Sequence, residues 1–337
     1  MISNQSVRQR IQKGIYKPHD YLTNMTIALW QSMPYVAKEI FPVVPVGTET
    51  GYYYEWKKED MTRIQMADKP NFGKVSPIDM LLAEDNYSCK IKQVIVGLDD
   101  ATNQNYTASG AAVDPRKTRS RLIAQQISLY MEKLIADNFF ATGKWTEEWT
   151  GVAVVPGANQ FYQFDDANSD PIGTFSAAKK EIMLAGLIEP NKLVLGHDVY
   201  ETLKNHPDLV DRIKYNGNSG ASPAKVNAQT LAELFEVEKV IVANSVYNAA
   251  AKGQAYNGNF IFNTKSALLC YAAPNPSIDE PSAGYTFGWD FDGNNWTVVA
   301  EFEGEGGTHC DYMEGLISID PKITSQDLGL FMKECIS

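Results

Sequence analysis

A chain of 337 residues, 44% of them hydrophobic and 21% charged, is long enough for two structural units with real cores. Its formal net charge of -11 excludes a protein that coats nucleic acid with its whole surface, because neutralising phosphates takes clustered Lys and Arg; it also keeps concentrated copies soluble and mutually repelling. No run approaches the roughly 18 apolar residues of a membrane span, and no apolar stretch follows the polar residues 1–10, so a soluble protein made in the cytoplasm is expected.

Residues 21–33 have the spacing of a short amphipathic helix, with Leu22, Met25, Ile27, Leu29 and Trp30 as its apolar positions and Pro34 after its end. In Phe41-Pro42-Val43-Val44-Pro45 the two prolines force an extended path and leave few backbone donors for a ladder. This predicts an arm lying over another surface, with Trp30 and Phe41 as its contact side chains. From Thr50 the period is two: Tyr52, Tyr54 and Trp56 fall on one face, and Tyr53, Glu55 and Lys57 on the other. A matching strand has Tyr87, Cys89 and Ile91 alternating with Ser88, Lys90 and Lys92. About 30 mostly polar residues containing Pro70, Gly73 and Pro77 separate the two strands, which excludes a tight hairpin.

The clearest helix spans 114–142. Asp114-Pro115 supplies an N-cap carboxylate and a proline at the first helical position, Gly143 closes it, and Ile123, Ile127, Tyr130, Met131, Leu134, Ile135 and Asn138 keep helical spacing over a rod of roughly 42 Å. Residues 174–275 predict a compact mixed unit. It has helices at 176–185, 198–205, 207–213 and 230–235, strands at 193–195, 240–242 and 260–262, and a Gly/Ser/Asn loop at 216–223. Pro274, Pro276 and Pro281 then break the chain before strands at 297–302 and 315–319.

Residues capable of chemistry are better explained by structure. His197 and Asp198 are adjacent, but neighbours rarely face the same way, and Asp198 stands where a helix N-cap is wanted. His309-Cys310-Asp311 suggests a Cys nucleophile only by adjacency, which is weak because such pairs are assembled in space. The 304–307 glycines lack nucleotide-loop spacing and read as a turn, and neither Asp165-Asp166 nor 290–292 matches a calcium loop. With four histidines and no zinc motif, neither metal nor cofactor is expected. Cys89, Cys270, Cys310 and Cys335 are scattered singly and read as reduced, partly buried thiols, and the Asn-x-Ser/Thr triplets at Asn24 and Asn295 read as chance. Arg116, Lys117, Arg119 and Arg121 crowd the start of the long helix, where the macrodipole disfavours cations. Their expected partner is DNA, contacted without sequence reading, or acidic residues of a neighbouring subunit.

The order of arm, long two-stranded excursion, long helix, compact α/β insertion and returning strands resembles the major capsid proteins of tailed phages, of the Hong Kong 97 type. The resemblance covers nearly the whole chain. Its most specific stretches are Asn191-Lys192-Leu193-Val194-Leu195-Gly196-His197-Asp198, Thr230-Leu231-Ala232-Glu233-Leu234-Phe235 leading into Val240-Ile241-Val242, and Asp320-Pro321-Lys322-Ile323-Thr324. It implies an α+β capsid fold without catalysis: arm 1–45, extended loop 46–92, peripheral domain 93–173 with spine helix 114–142, axial domain 174–275, and a return to the peripheral domain at 276–337.

The loop would reach a neighbour through Tyr52, Tyr54, Trp56, Lys57, Lys58, Arg63, Lys69 and Phe72. The same resemblance implies homo-pentamers and homo-hexamers in an icosahedral virion shell around double-stranded DNA, assembled in the host cytoplasm, with a portal at one vertex and no membrane. Because the chain starts about 20 residues before the arm helix, a separate scaffolding protein is expected. The alternatives are an encapsulin-like compartment shell and a two-domain hydrolase using His197 or His309.

Overall fold

The structure is a computed structural model that describes residues 35–56, 64, 66, 68, 71, 82–101, 104, 115–215, 226–276, 280–292, 296–304 and 309–337. The expected 21–33 helix with Trp30, the loop residues Lys57, Lys58, Arg63, Lys69 and Phe72, the cap at Asp114 and the 216–223 loop lie outside the described residues.

In chain order the elements are α1 (Ala37–Ile40), β1 (Val43–Val46), β2 (Thr50–Trp56), β3 (Leu82–Ser88), β4 (Ile91–Asp99), α2 (Pro115–Phe139), β5 (Glu147–Val152) and β6 (Gln160–Tyr162). There follow α3 (Pro171–Gly186), β7 (Lys192–Gly196), α4 (His197–Lys204), α5 (Pro207–Tyr215), α6 (Ala228–Leu234), β8 (Lys239–Ala243), β9 (Val246–Asn248) and β10 (Gly258–Phe260). The last are β11 (Ala267–Cys270), β12 (Gly284–Trp289), β13 (Thr297–Glu303), β14 (Cys310–Ile323) and β15 (Gly329–Lys333).

The first sheet is organised by the 14-residue β14. Its N-terminal part lies between β13 and β4, and its C-terminal part pairs with β12, whose other edge takes β1 in parallel. The spine helix α2 lies across this sheet. Ile123, Ile127, Met131, Ile135 and Phe139, spaced to share one face, are buried with Val299, Met313, Ile317 and Ile319. The helix stops earlier than expected, at Phe139, where the Trp145 indole N–H donates to the Phe139 carbonyl at 2.7 Å and so satisfies an end group that a further turn would have used. Gly143, at φ +79°, then turns the chain.

The second sheet has the order β6-β5-β15-β11-β7-β8. Both of its faces are covered, which explains apolar runs without alternation. Leu193, Leu195, Leu269, Leu330 and Met332 pack with Phe161, Phe164, Phe175 and Leu231, while Val194, Leu268 and Phe331 point the other way into the core that the spine helix shares. The sequence boundaries 174 and 275 therefore do not close this unit, because β5, β6 and the C-terminal β15 complete its sheet. The sequence reading placed no strand at β15, whose position between β5 and β11 is a long-range pairing.

Three local expectations change. Phe41 is not presented to a neighbour: its ring is fully buried 4.4 Å from that of Phe139, and β1, proline included, adds to β12 as an edge strand, where a missing N–H is tolerated. The strand expected through Tyr87, Cys89 and Ile91 is two strands, with the buried Cys89 at the corner, where its N–H donates to Glu49 O at 2.8 Å. Asp198 is not a cap. Helix α4 begins at His197 with Gly196 before it, which leaves Asp198 as an acid in the first turn, favourable to the dipole.

Candidate assembly surfaces

The β2–β3 ribbon pairs Thr50–Trp56 antiparallel with Leu82–Ser88, so the two strands predicted across a long insertion do meet. Its root is fastened to the first sheet from one face. Tyr53 and Tyr87 are buried, with ring centroids 5.4 and 4.7 Å from that of Phe287; the Tyr53 hydroxyl donates to Asp85 Oδ2 at 2.7 Å, and Ser88 N–H to Asp320 Oδ2 at 2.8 Å. The Tyr53 hydroxyl, followed by the Asn86 N–H, holds the Asp85 carboxyl below its ordinary value. Tyr52 lies on the other face and is 74% exposed. Tyr54 and Trp56 stand opposite Glu84 and Leu82 in the register. Further out, Ile64 and Met66 are 93% and 95% exposed. The two anchoring tyrosines were missed in the sequence, although the period-two pattern had already set Tyr53 apart from Tyr52 and Tyr54.

The four basic residues at the start of α2 separate into two pairs. Arg116 faces Glu301 at 3.5 Å and Asp311 at 4.0 Å, and Arg119 Nε donates to Gly97 O at 2.8 Å, so both are engaged within their own subunit. Lys117 and Arg121 are exposed. Acidic strands β13 and β14 thus meet part of the charge that the helix start disfavours.

The chemistry-bearing candidates have local roles. His197 Nδ1 lies 2.8 Å from Asn244 Oδ1, and its ring stacks on Phe260. His309, at φ +45°, leads into β14, where Asp311 faces Arg116. Asp165 accepts from the Ser337 N–H at 3.2 Å and fastens the chain end, and Asp166 accepts from Asn168 N–H at 2.8 Å within a turn. Among the described residues no group of three or more His, Cys, Asp or Glu side chains could hold a metal ion, and no helix is long and apolar enough to cross a membrane.

This architecture is the capsid fold of the Hong Kong 97 type. A phage-related protein of Bordetella bronchiseptica RB50 superposes with a TM-score of 0.71 at 19% identity, over 95% of this chain and 98% of that one. The capsid structure of the cyanophage P-SCSP1u gives a TM-score of 0.52 at 11% identity, over 87% and 86% of the two chains. In sequence, the chain is similar to the major capsid protein of Burkholderia phage BcepMu, 26% identical over 238 residues that make up 67% of this chain and 68% of that protein. No family model matches. The BcepMu and cyanophage relatives are structural capsid proteins, not enzymes.

Proposed function

We propose that this chain is a phage major capsid protein whose copies form the pentamers and hexamers of an icosahedral head around double-stranded DNA. The observation that carries the reading is a capsid fold running nearly end to end through the chain, joined to sequence similarity with a protein named as a major capsid protein. The 46–92 excursion supplies lateral contacts, led by Tyr52, Tyr54 and Trp56 and by Lys57, Lys58, Arg63, Lys69 and Phe72. Residues 1–34 with Trp30 form the arm. The 174–275 region, completed by β5, β6 and β15, is the axial domain, and the first sheet with α2 is the peripheral one. Lys117 and Arg121 are the cations available to DNA or to a neighbour, a contact that needs no base reading. Assembly takes place in the host cytoplasm with a scaffolding protein and a portal.

The test is electron microscopy and sizing of the purified chain, alone and co-produced with a scaffolding protein from the same genome. Closed shells or capsomer rings are expected. A single species near the 37.4 kDa monomer mass under every condition refutes the reading. Shells that enclose an enzyme and never DNA would instead mark a cargo compartment. Replacing Lys117 and Arg121 with Gln should reduce packaged DNA or shell stability; no change in either removes the role given to them.

A further inference from the structure

Residues 35–46 are held at more points than a connecting segment needs, and the holds come from both sheets and from the spine helix. Tyr35 hydrogen-bonds the Gln125 side chain. At the start of the single-turn helix α1, the Glu132 carboxylate of the spine helix accepts from Ala37 N–H at 2.7 Å and from Val36 N–H, and its other oxygen accepts from the Ser245 hydroxyl at 2.8 Å, just beyond β8. At the end of α1, Lys192 Nζ of β7 donates to the carbonyls of Glu39 at 2.7 Å and Ile40 at 3.0 Å, and Lys239 of β8 pairs with the Glu39 side chain at 2.8 Å. The carboxylate and the ammonium sit at the two ends of one helical turn with the signs its dipole favours. Phe41 then enters the core and β1 joins the first sheet.

The two ends of this clamp differ in cost. Lys192 and Lys239 act on carbonyls and on a partly exposed carboxylate. Glu132 is completely buried, and the bonds named above reach it from N–H and hydroxyl dipoles. Burial pushes its carboxyl above the ordinary range despite those bonds, and the nearby negative charge of Glu39 adds to the push. A buried carboxylate answered by dipoles carries a desolvation penalty that opening repays with hydration.

We propose that residues 35–46 are a releasable strap that locks the six-stranded sheet to the spine helix through Glu132 and opens as a unit while the core behind it stays closed.

Hydrogen exchange of the unassembled chain tests the lock. In the wild type, the strap amides should exchange through a local opening that leaves Leu193–Leu195 and Leu268–Leu269 protected. Glu132→Gln keeps an acceptor for Ala37 and removes the buried charge, so it should slow strap exchange, on the order of tenfold; Glu132→Ala should speed it by a similar factor. Strap amides that exchange only with the whole core, or two variants shifted in the same direction, overturn the proposal.

Discussion

Adding a single methyl group at Gly315 should loosen the spine helix from its sheet. Gly315 lies on β14 under the helix, where a Cβ would meet Ile123 Cγ2 closer than carbon atoms approach one another, with Val94 Cγ1 at 3.2 Å and Ile127 Cδ1 at 3.5 Å. Ile123 is completely buried, so its side chain has no solvent to swing into, and the helix must lift or tilt. Overpacking of this kind costs about 1–3 kcal/mol, and removing a strand glycine returns about 0.5–1 kcal/mol, which leaves Gly315→Ala less stable by up to about 2.5 kcal/mol. Gly47→Ala is the matched control: its Cβ meets nothing within 4 Å, and it should be neutral or gain up to about 1 kcal/mol from the stiffer unfolded chain. Denaturant unfolding of the unassembled chain, followed by tryptophan fluorescence, reads both as midpoint shifts at constant slope. If Gly315→Ala unfolds at or above the midpoint of Gly47→Ala, the described seating of the helix on β14 is wrong.

Phe41→Ala should destabilise the unassembled chain by about 3–5 kcal/mol, since it empties a core site against Phe139; an unchanged midpoint would return Phe41 to the role of an inter-subunit contact. Tyr53→Phe should raise the Asp85 pKa towards its ordinary value, seen by NMR titration. With the folded pKa lowered, this carboxylate stabilises the ribbon above its unfolded value of about 3.9 and loses that contribution as pH falls through the folded one; an unchanged titration refutes the Tyr53 bond. A thiol reagent applied to the native chain should label Cys310 first, because Cys89, Cys270 and Cys335 are buried and burial pushes the Cys270 thiol up to about 12; equal labelling of Cys270 and Cys310 by mass spectrometry would contradict the packing of the six-stranded sheet.

Much of the fold was present in the sequence because its signals are local. The 3.6-residue spacing of Ile123, Ile127, Met131 and Ile135 marked the spine helix, and the alternation around Tyr53 marked the ribbon. The Asn227 cap, accepting from Thr230 N–H at 2.8 Å, opened α6 where the Thr230-Leu231 pattern placed a helix. The order of these elements was enough for the capsid resemblance. Tertiary structure decided what no local pattern encodes. Phe41 and Pro45 read as an arm lying over another surface because two prolines discourage a ladder, but an edge strand asks for bonds on one side only, and the Phe41 ring packs against that of Phe139 in the chain's own core. β15 reached across to the second sheet by a parallel pairing with Glu147–Thr150, a contact whose partners lie far apart in the chain. Arg116 found its acids on β13 and β14 within its own subunit, and Glu132, an ordinary-looking acid at a helical position, became the buried hold on the strap because two distant segments, the strap itself and Ser245 after β8, converge on it. Periodicity and propensity act over a few residues. Which face meets which, and which charges are taken out of water, depends on closing the whole chain.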